Sequence, residues 1–221
     1  MSSIKTDEVK LQELRKGKWR DWQSVSMLAY LDNAEGREQV RRHLTPEWWI
    51  HKSSGERGDK KYFLDTEFIE DGSTIDLLSI GIVSDDGREF YAQPESGAWD
   101  KLISGDPAFD WVREHVVPQL QPTFQPRVDV REEVRAFCDP DVYGKPEFWG
   151  YYADYDWVGL CQLFGTMMDL PKGWPMYCRD IKQLCDDKGN PRLPEQGKGE
   201  HHALADAKWN KLAWEFLKEG V

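Results

Sequence analysis

The stretch YFLDTEF, Tyr62 to Phe68, decides how this chain folds. Its apolar residues form a short β-prone run, and two acids, Asp65 and Glu67, stand two apart inside it. Strand alternation puts both carboxylates on one face, about 7 Å apart along the chain. Carboxylates that close repel one another and shift each other's titration unless a hard divalent ion such as Mg²⁺ or Mn²⁺ sits between them with oxygen ligands. The plain alternative is an edge strand whose acids face water.

Working outward, Thr74 to Val83 (TIDLLSIGIV) is a longer strand rich in branched residues. After the turn Asp85-Asp86-Gly87, residues Arg88 to Ala92 return antiparallel to it. Residues 108 to 117 and 131 to 138 carry helical patterning, separated by the proline-bearing loop QPTFQPRVD. Glu147 to Tyr152 reads as a buried strand, Trp157 to Met168 as a helix, Met176 to Cys178 as a short strand and His202 to Leu217 as the closing helix. A meander followed by alternating strands and helices predicts an α/β fold, a mixed β-sheet covered by helices.

Upstream, Val9 to Ile50 has helix-like apolar spacing, and Thr45-Pro46-Glu47 looks like an N-cap with proline at the first helical position. The segment HKSSGERGDKK, residues 51 to 61, has no apolar residue and reads as a linker. The expected division is a helical extension and linker over 1–60 and a larger domain over 61–221. Trp19, Trp22, Trp48 and Trp49 lie among Arg15, Lys16, Lys18, Arg20, Arg41 and Arg42. They are read as packing residues, the alternative being a basic aromatic arm that grips a nucleic-acid strand.

Composition narrows the class. No apolar run approaches the roughly 18 to 20 residues of a membrane span, and MSSIKTDEVKLQEL lacks the apolar core of a secretory signal, so a cytoplasmic protein without a membrane role is expected. Cys138, Cys161, Cys178 and Cys185 form no C-x-x-C pair, which argues against a zinc ribbon and a disulfide framework. The net charge of −11 divides into +2 for residues 1–60 and −13 for the remainder. That balance is unusual for a nucleic-acid binder, but two bound divalent cations would add about four positive charges where the acids cluster.

Two further segments carry chemistry. In Gly150-Tyr151-Tyr152-Ala153-Asp154-Tyr155-Asp156-Trp157 a strand gives way to a helix, with acids near the positive end of the helix dipole. Asp154 suits an N-cap at least as well as Asp156, and spacing alone does not choose between them. In Glu200-His201-His202-Ala203-Leu204-Ala205-Asp206, His201 falls in the loop before the last helix and Asp206 about one turn into it. A histidine titrating near neutrality can take a proton from water, while a carboxylate one turn on can hold a metal. A histidine pair before a helix is more often a surface feature, the role assigned to His202.

Taken in chain order, D-x-E on an early strand, D at a strand-to-helix junction and H-x4-D at the last helix resemble the DEDDh exonucleases of the ribonuclease H-like fold. The resemblance spans roughly residues 61 to 217. It excludes the DEDDy pattern, which would place a tyrosine at the position of His202. The family's second motif commonly reads G-H-N-x-x-F-D; GYYADYD matches it in length and selects Asp156 as the ligand. Tyr151 and Tyr152 replace its His and Asn. Within the superfamily, YFLDTEFIEDGSTIDLLSIGIVSDDGREFYA and FWGYYADYDWVGLCQLFG look most like the ribonuclease AS group, polyadenylate-specific 3′ exoribonucleases.

The resemblance implies two Mg²⁺ or Mn²⁺ ions held by Asp65, Glu67, Asp156 and Asp206, with His201 as general base. It further implies single-stranded RNA as substrate, nucleoside 5′-monophosphates as products, and a homodimer. Phe68 and Tyr152 are candidate substrate contacts, Phe68 by stacking on or wedging between terminal bases, with ordinary core packing as its equal alternative. The alternatives are a DEDDh DNA exonuclease with the same catalytic residues and a non-catalytic nucleic-acid-binding module.

Overall fold

The hairpin expected around Asp85-Asp86-Gly87 is present, and it forms one edge of the sheet that carries the acidic strand. A computed structural model describes residues 58–197 and 199–219 of the chain. Strands β1 (Lys60–Glu70), β2 (Ile75–Ser84) and β3 (Glu89–Ala92) make an antiparallel meander, with Gly87 taking the positive φ of 89° that the second turn requires. Helices α1 (Ala98–Ile103), α2 (Asp110–His115), α3 (Arg127–Phe137) and the short α4 (Pro140–Tyr143) follow. The chain then returns through β4 (Pro146–Gly150), parallel to β1, and α5 (Asp154–Phe164). The two-residue β5 (Arg179–Asp180), α6 (Ile181–Asp187) and α7 (Ala203–Glu219) complete it.

The strand order β3-β2-β1-β4-β5 puts β1 at the centre of a mixed five-stranded sheet. A central strand has two covered faces. Accordingly Tyr62, Phe63, Leu64 and Ile69 are all essentially inaccessible, each worth about 1.5–3 kcal/mol of apolar burial. One face packs Tyr62, Leu64, Ile80 and Ile82 against Val130 and Val134 of α3 and Trp157 and Leu160 of α5. The other packs Phe63 and Trp149 against Ile181 and Cys185 of α6 and Ala213 and Leu217 of α7. A third cluster joins Ile69 and Leu78 to Ala98, Leu102 and Val116 of the segment that follows β3. Among the described residues no helix is long and apolar enough to cross a membrane.

The approach of α7 to the sheet is set by backbone. Gly81 of β2 is the cross-strand partner of Asp65, and a Cβ there would lie 2.3 Å from the carbonyl carbon and oxygen of Ala203. Only glycine admits the first turn of α7 at that distance.

Several sequence expectations need correction. β1 runs four residues longer than YFLDTEF, two at each end. The helix expected over Trp157–Met168 starts three residues earlier and ends at Phe164, where Gly165 adopts a positive φ of 122°; Met167–Asp169 is a separate 3-10 turn. The strand expected at Met176–Cys178 is displaced to Arg179–Asp180, the two residues that pair with Trp149 and Gly150. Helices α1, α4 and α6 were not anticipated, being short pieces whose apolar pattern is too brief to register as a period. The expected extension, its linker up to residue 57 and the four tryptophans lie outside the described residues.

Candidate active site

Asp65 and Glu67 share one face of β1, opposite Gly81 and Ser79 of β2, and a register shift follows immediately between Glu67 and Phe68. The edge-strand alternative therefore fails: β1 is central, and Glu67 is only 8% exposed. Asp156 sits in the first turn of α5, 6% exposed, and accepts hydrogen bonds from the backbone N–H of Thr66 at 2.9 Å and its hydroxyl at 2.6 Å. Thr66, the middle residue of the D-x-E, thus ties the third acid to the strand carrying the first two. Asp154 points to solvent and makes no cap hydrogen bond, so geometry separates the two aspartates that spacing could not.

Asp206 lies in the first turn of α7, and both its oxygens are occupied. Oδ2 accepts the His201 backbone N–H at 2.9 Å, and Oδ1 accepts the side-chain amide of Gln196. One turn on, Asn210 donates to the Leu64 carbonyl at 2.8 Å in a buried contact that locks α7 to β1 beside Asp65. His201 occupies the turn before α7 with a φ of +69°. Glu67, His201 and Asp206 can each present a ligand atom with all three within 4.8 Å of one another. Asp65, Tyr151, Gln196, Glu200, His201, Asp206, Trp209 and Asn210 line a cavity of about 300 Å³.

The electrostatics are those of crowded like charge. Burial, then Asp156, Glu67 and Asp206, push the Asp65 carboxyl well above the usual carboxylate range. Burial followed by Asp206 and Asp156 raises Glu67 to about 8. Burial, with Asp180 and Asp206 adding to it, raises Asp156 to about 6 against the opposing Thr66 hydrogen bonds. Asp206 is raised by burial as well, an effect moderated by the His201 N–H and Gln196. Among the described residues no donor reaches the carboxylates of Asp65 or Glu67. Four crowded, mutually repelling carboxylates, two of them without a hydrogen-bond donor, form a ligand set suited to hard divalent cations.

The flanking residues divide. Phe68 is partly buried with its ring 5.8 Å from that of Tyr155, itself 53% exposed, so an aromatic pair stands beside the acids. Tyr152 is 63% exposed with a φ of +56°, and it is Tyr151, edge-on to Trp209 at 5.1 Å, that lines the cavity. His202 turns away and stacks on Tyr91 at 4.5 Å, a packing role. Sequence reasoning missed Thr66, Gln196, Asn210 and the pair Trp111 and His115 beside His201. Thr66 carried a signal in its place inside the D-x-E, and Asn210 in its place one turn after Asp206; Gln196 lies in the unpatterned loop before His201, and Trp111 and His115 come from a remote segment that only folding brings near.

Comparisons with known proteins identify relatives of this chain. The family described as the 3′-5′ exoribonuclease Rv2179c-like domain matches residues 60–218. The 3′-5′ exoribonuclease Rv2179c of Mycobacterium tuberculosis (strain ATCC 25618 / H37Rv) is 43% identical over 152 residues, covering 67% of this chain and 87% of the relative. The 3′-5′ exoribonuclease MT2234.1 of strain CDC 1551 / Oshkosh matches with the same figures. Among solved structures, S. pombe Pop2p in its Mg²⁺- and Mn²⁺-bound form superimposes with a TM-score of 0.44 at 12% identity, over 72% of this chain and 81% of that one.

Proposed function

Because the chain belongs to the Rv2179c-like 3′-5′ exoribonuclease domain family and is an exoribonuclease, we propose that it removes nucleotides one at a time from the 3′ end of single-stranded RNA, releasing nucleoside 5′-monophosphates and favouring adenosine-rich tails. The observation that carries this reading is the convergence of Asp65, Glu67, Asp156 and Asp206 with His201 about the middle of β1. The preference for adenosine rests on the resemblance of the D-x-E and GYYADYD segments to the ribonuclease AS group. The same resemblance favours a homodimer, and the four free cysteines Cys138, Cys161, Cys178 and Cys185 suit a reducing cytoplasm.

In this reading Asp65, Glu67, Asp156 and Asp206 hold two divalent ions, Mg²⁺ or Mn²⁺. When bound, such ions acidify the attacking water and offset charge on the leaving 3′ oxygen. The chain's own contributions follow from its geometry. Thr66 and Gln196 fix two of the carboxylates from outside the cluster, so no reorganisation is needed when substrate arrives. His201, at the cavity wall, accepts the proton of the water that attacks the terminal phosphodiester, and the phosphorus–O3′ bond breaks. Phe68 and Tyr155 offer ring faces to the terminal bases, a grip that tolerates sequence.

The test is timed digestion of oligonucleotides with 3′ homopolymer tails, as RNA and as DNA, with Mg²⁺, Mn²⁺ or chelator. The expected result is metal-dependent shortening from the 3′ end, fastest on oligoadenylate RNA. Faster hydrolysis of the DNA would establish the deoxyribonuclease alternative, and binding without hydrolysis the non-catalytic one.

A further inference from the structure

Trp111, in α2, makes the ring contact that bears on His201. The two rings meet edge-to-face with centroids 4.8 Å apart and planes at 80°. Behind Trp111 lies His115, one turn along α2, stacked at 4.9 Å and 13° and itself edge-on to His201 at 6.0 Å. His115 is tied to the same unit, since its Nδ1 donates to the Trp111 carbonyl at 2.9 Å. The helix is anchored independently of the acids. Val112 packs into the Ile69, Leu78 and Leu102 cluster, and Arg113 donates to the Leu102 carbonyl at 3.0 Å and to the Asp106 carbonyl.

His201 needs such a support. Its backbone has the positive φ that side-chain-bearing residues seldom adopt, held by the N–H to Asp206. That bond fixes the main chain and leaves the imidazole free to turn. Among the described residues no hydrogen bond reaches its ring. Trp111 keeps 52% of its surface exposed, more than a tryptophan recruited for core packing would.

We propose that Trp111, backed by His115, is a positioning residue for the reaction: its ring holds the His201 imidazole at the angle from which it faces the attacking water. This rests on the assignment of His201 as general base. Edge-to-face contacts are weak individually, so the expected effect is a partial loss of turnover, about 3- to 10-fold.

The experiment compares Trp111→Leu, which stays apolar but removes the ring, with Trp111→Phe, His201→Ala and the double variant Trp111→Leu/His201→Ala, all in the full chain. Turnover on 3′-oligoadenylate RNA is measured with saturating Mn²⁺, alongside the NMR shifts of the His201 imidazole protons, which sense the neighbouring ring whether or not the protein is active. Expected are a fall in kcat for Trp111→Leu with KM within about 2-fold, recovery of most turnover in Trp111→Phe, no further loss in the double variant, and a displaced His201 resonance in Trp111→Leu alone. The proposal is overturned if Trp111→Leu keeps its kcat, if the loss falls on KM as for a base-stacking residue, if Trp111→Phe is no better than Trp111→Leu, or if the imidazole resonance does not move. Should His201→Ala retain full turnover, the assignment of the base is what fails, a result separable from any of these.

Discussion

Replacing Glu67 by glutamine is expected to stabilise the metal-free protein while removing its activity. A glutamine has the shape and the unmet hydrogen-bonding needs of a protonated glutamic acid, so the substitution isolates charge. Glu67 rises from its ordinary 4.5 to about 8 in the folded chain. It therefore binds its proton more tightly folded than unfolded, and its contribution to stability is fully present below pH 4.5 and is lost as pH rises through 8. Relative to a permanently neutral side chain, the cost comes to about 1 kcal/mol at pH 5 and about 4 kcal/mol at pH 8. For a chain of this size that is roughly 10 °C in Tm at the higher pH. The assay is thermal unfolding of wild type and Glu67→Gln in chelator from pH 5 to 8, repeated with Mn²⁺. The variant should melt higher in chelator by a margin that widens with pH, and the order should reverse with Mn²⁺, because only the wild type has its complete ligand set. If the two curves ran parallel in chelator, Glu67 would not be a suppressed charge and the crowding argument would be refuted.

Asp65→Asn and His201→Ala are expected to fold, by circular dichroism and gel filtration, yet to lose at least about 100-fold in kcat; turnover within a few-fold of wild type in either would remove that residue from the mechanism. Thr66→Val deletes the 2.6 Å hydroxyl bond to Asp156, and on the order of tenfold more Mn²⁺ should be needed for half-maximal activity, measured by titrating the ion at fixed substrate. Gly81→Ala places a methyl against the Ala203 backbone, and a loss of about 1–3 kcal/mol in urea unfolding together with lower turnover is expected; an unchanged variant would show that α7 can shift without consequence.

The legible part of this protein was the part written in local chemistry. Alternation in YFLDTEF and the branched run after it gave the first two strands, and the Asp85-Asp86-Gly87 turn gave the antiparallel return of the third. The acids at 65, 67 and 206 were visible because charged residues inside apolar periods are costly without a reason. Asp156 needed more: spacing left it level with Asp154, and only the length match of GYYADYD to the family motif selected it, while the burial and Thr66 bonds that distinguish it physically are not contained in a one-dimensional pattern. Gln196 belongs to a loop without periodicity and Trp111 to a helix whose pattern shows no link to the site, and their roles depend on closure over 10 and 90 residues to Asp206 and His201 respectively. The β5 strand was misplaced because two residues are too few for alternation to show.

The contact between Gly81 and Ala203 works as a spacer built from atoms that nearly every amino acid shares. Because peptide backbone rather than interlocking side chains sets the gap between β2 and α7, the surrounding core can be rewritten, leucine for isoleucine or valine for alanine, without resizing the space in which Asp206 meets Asp65. Tolerance to change is then concentrated unevenly: broad at the packing positions of α7, and almost nil at one residue whose contribution is the side chain it does not have.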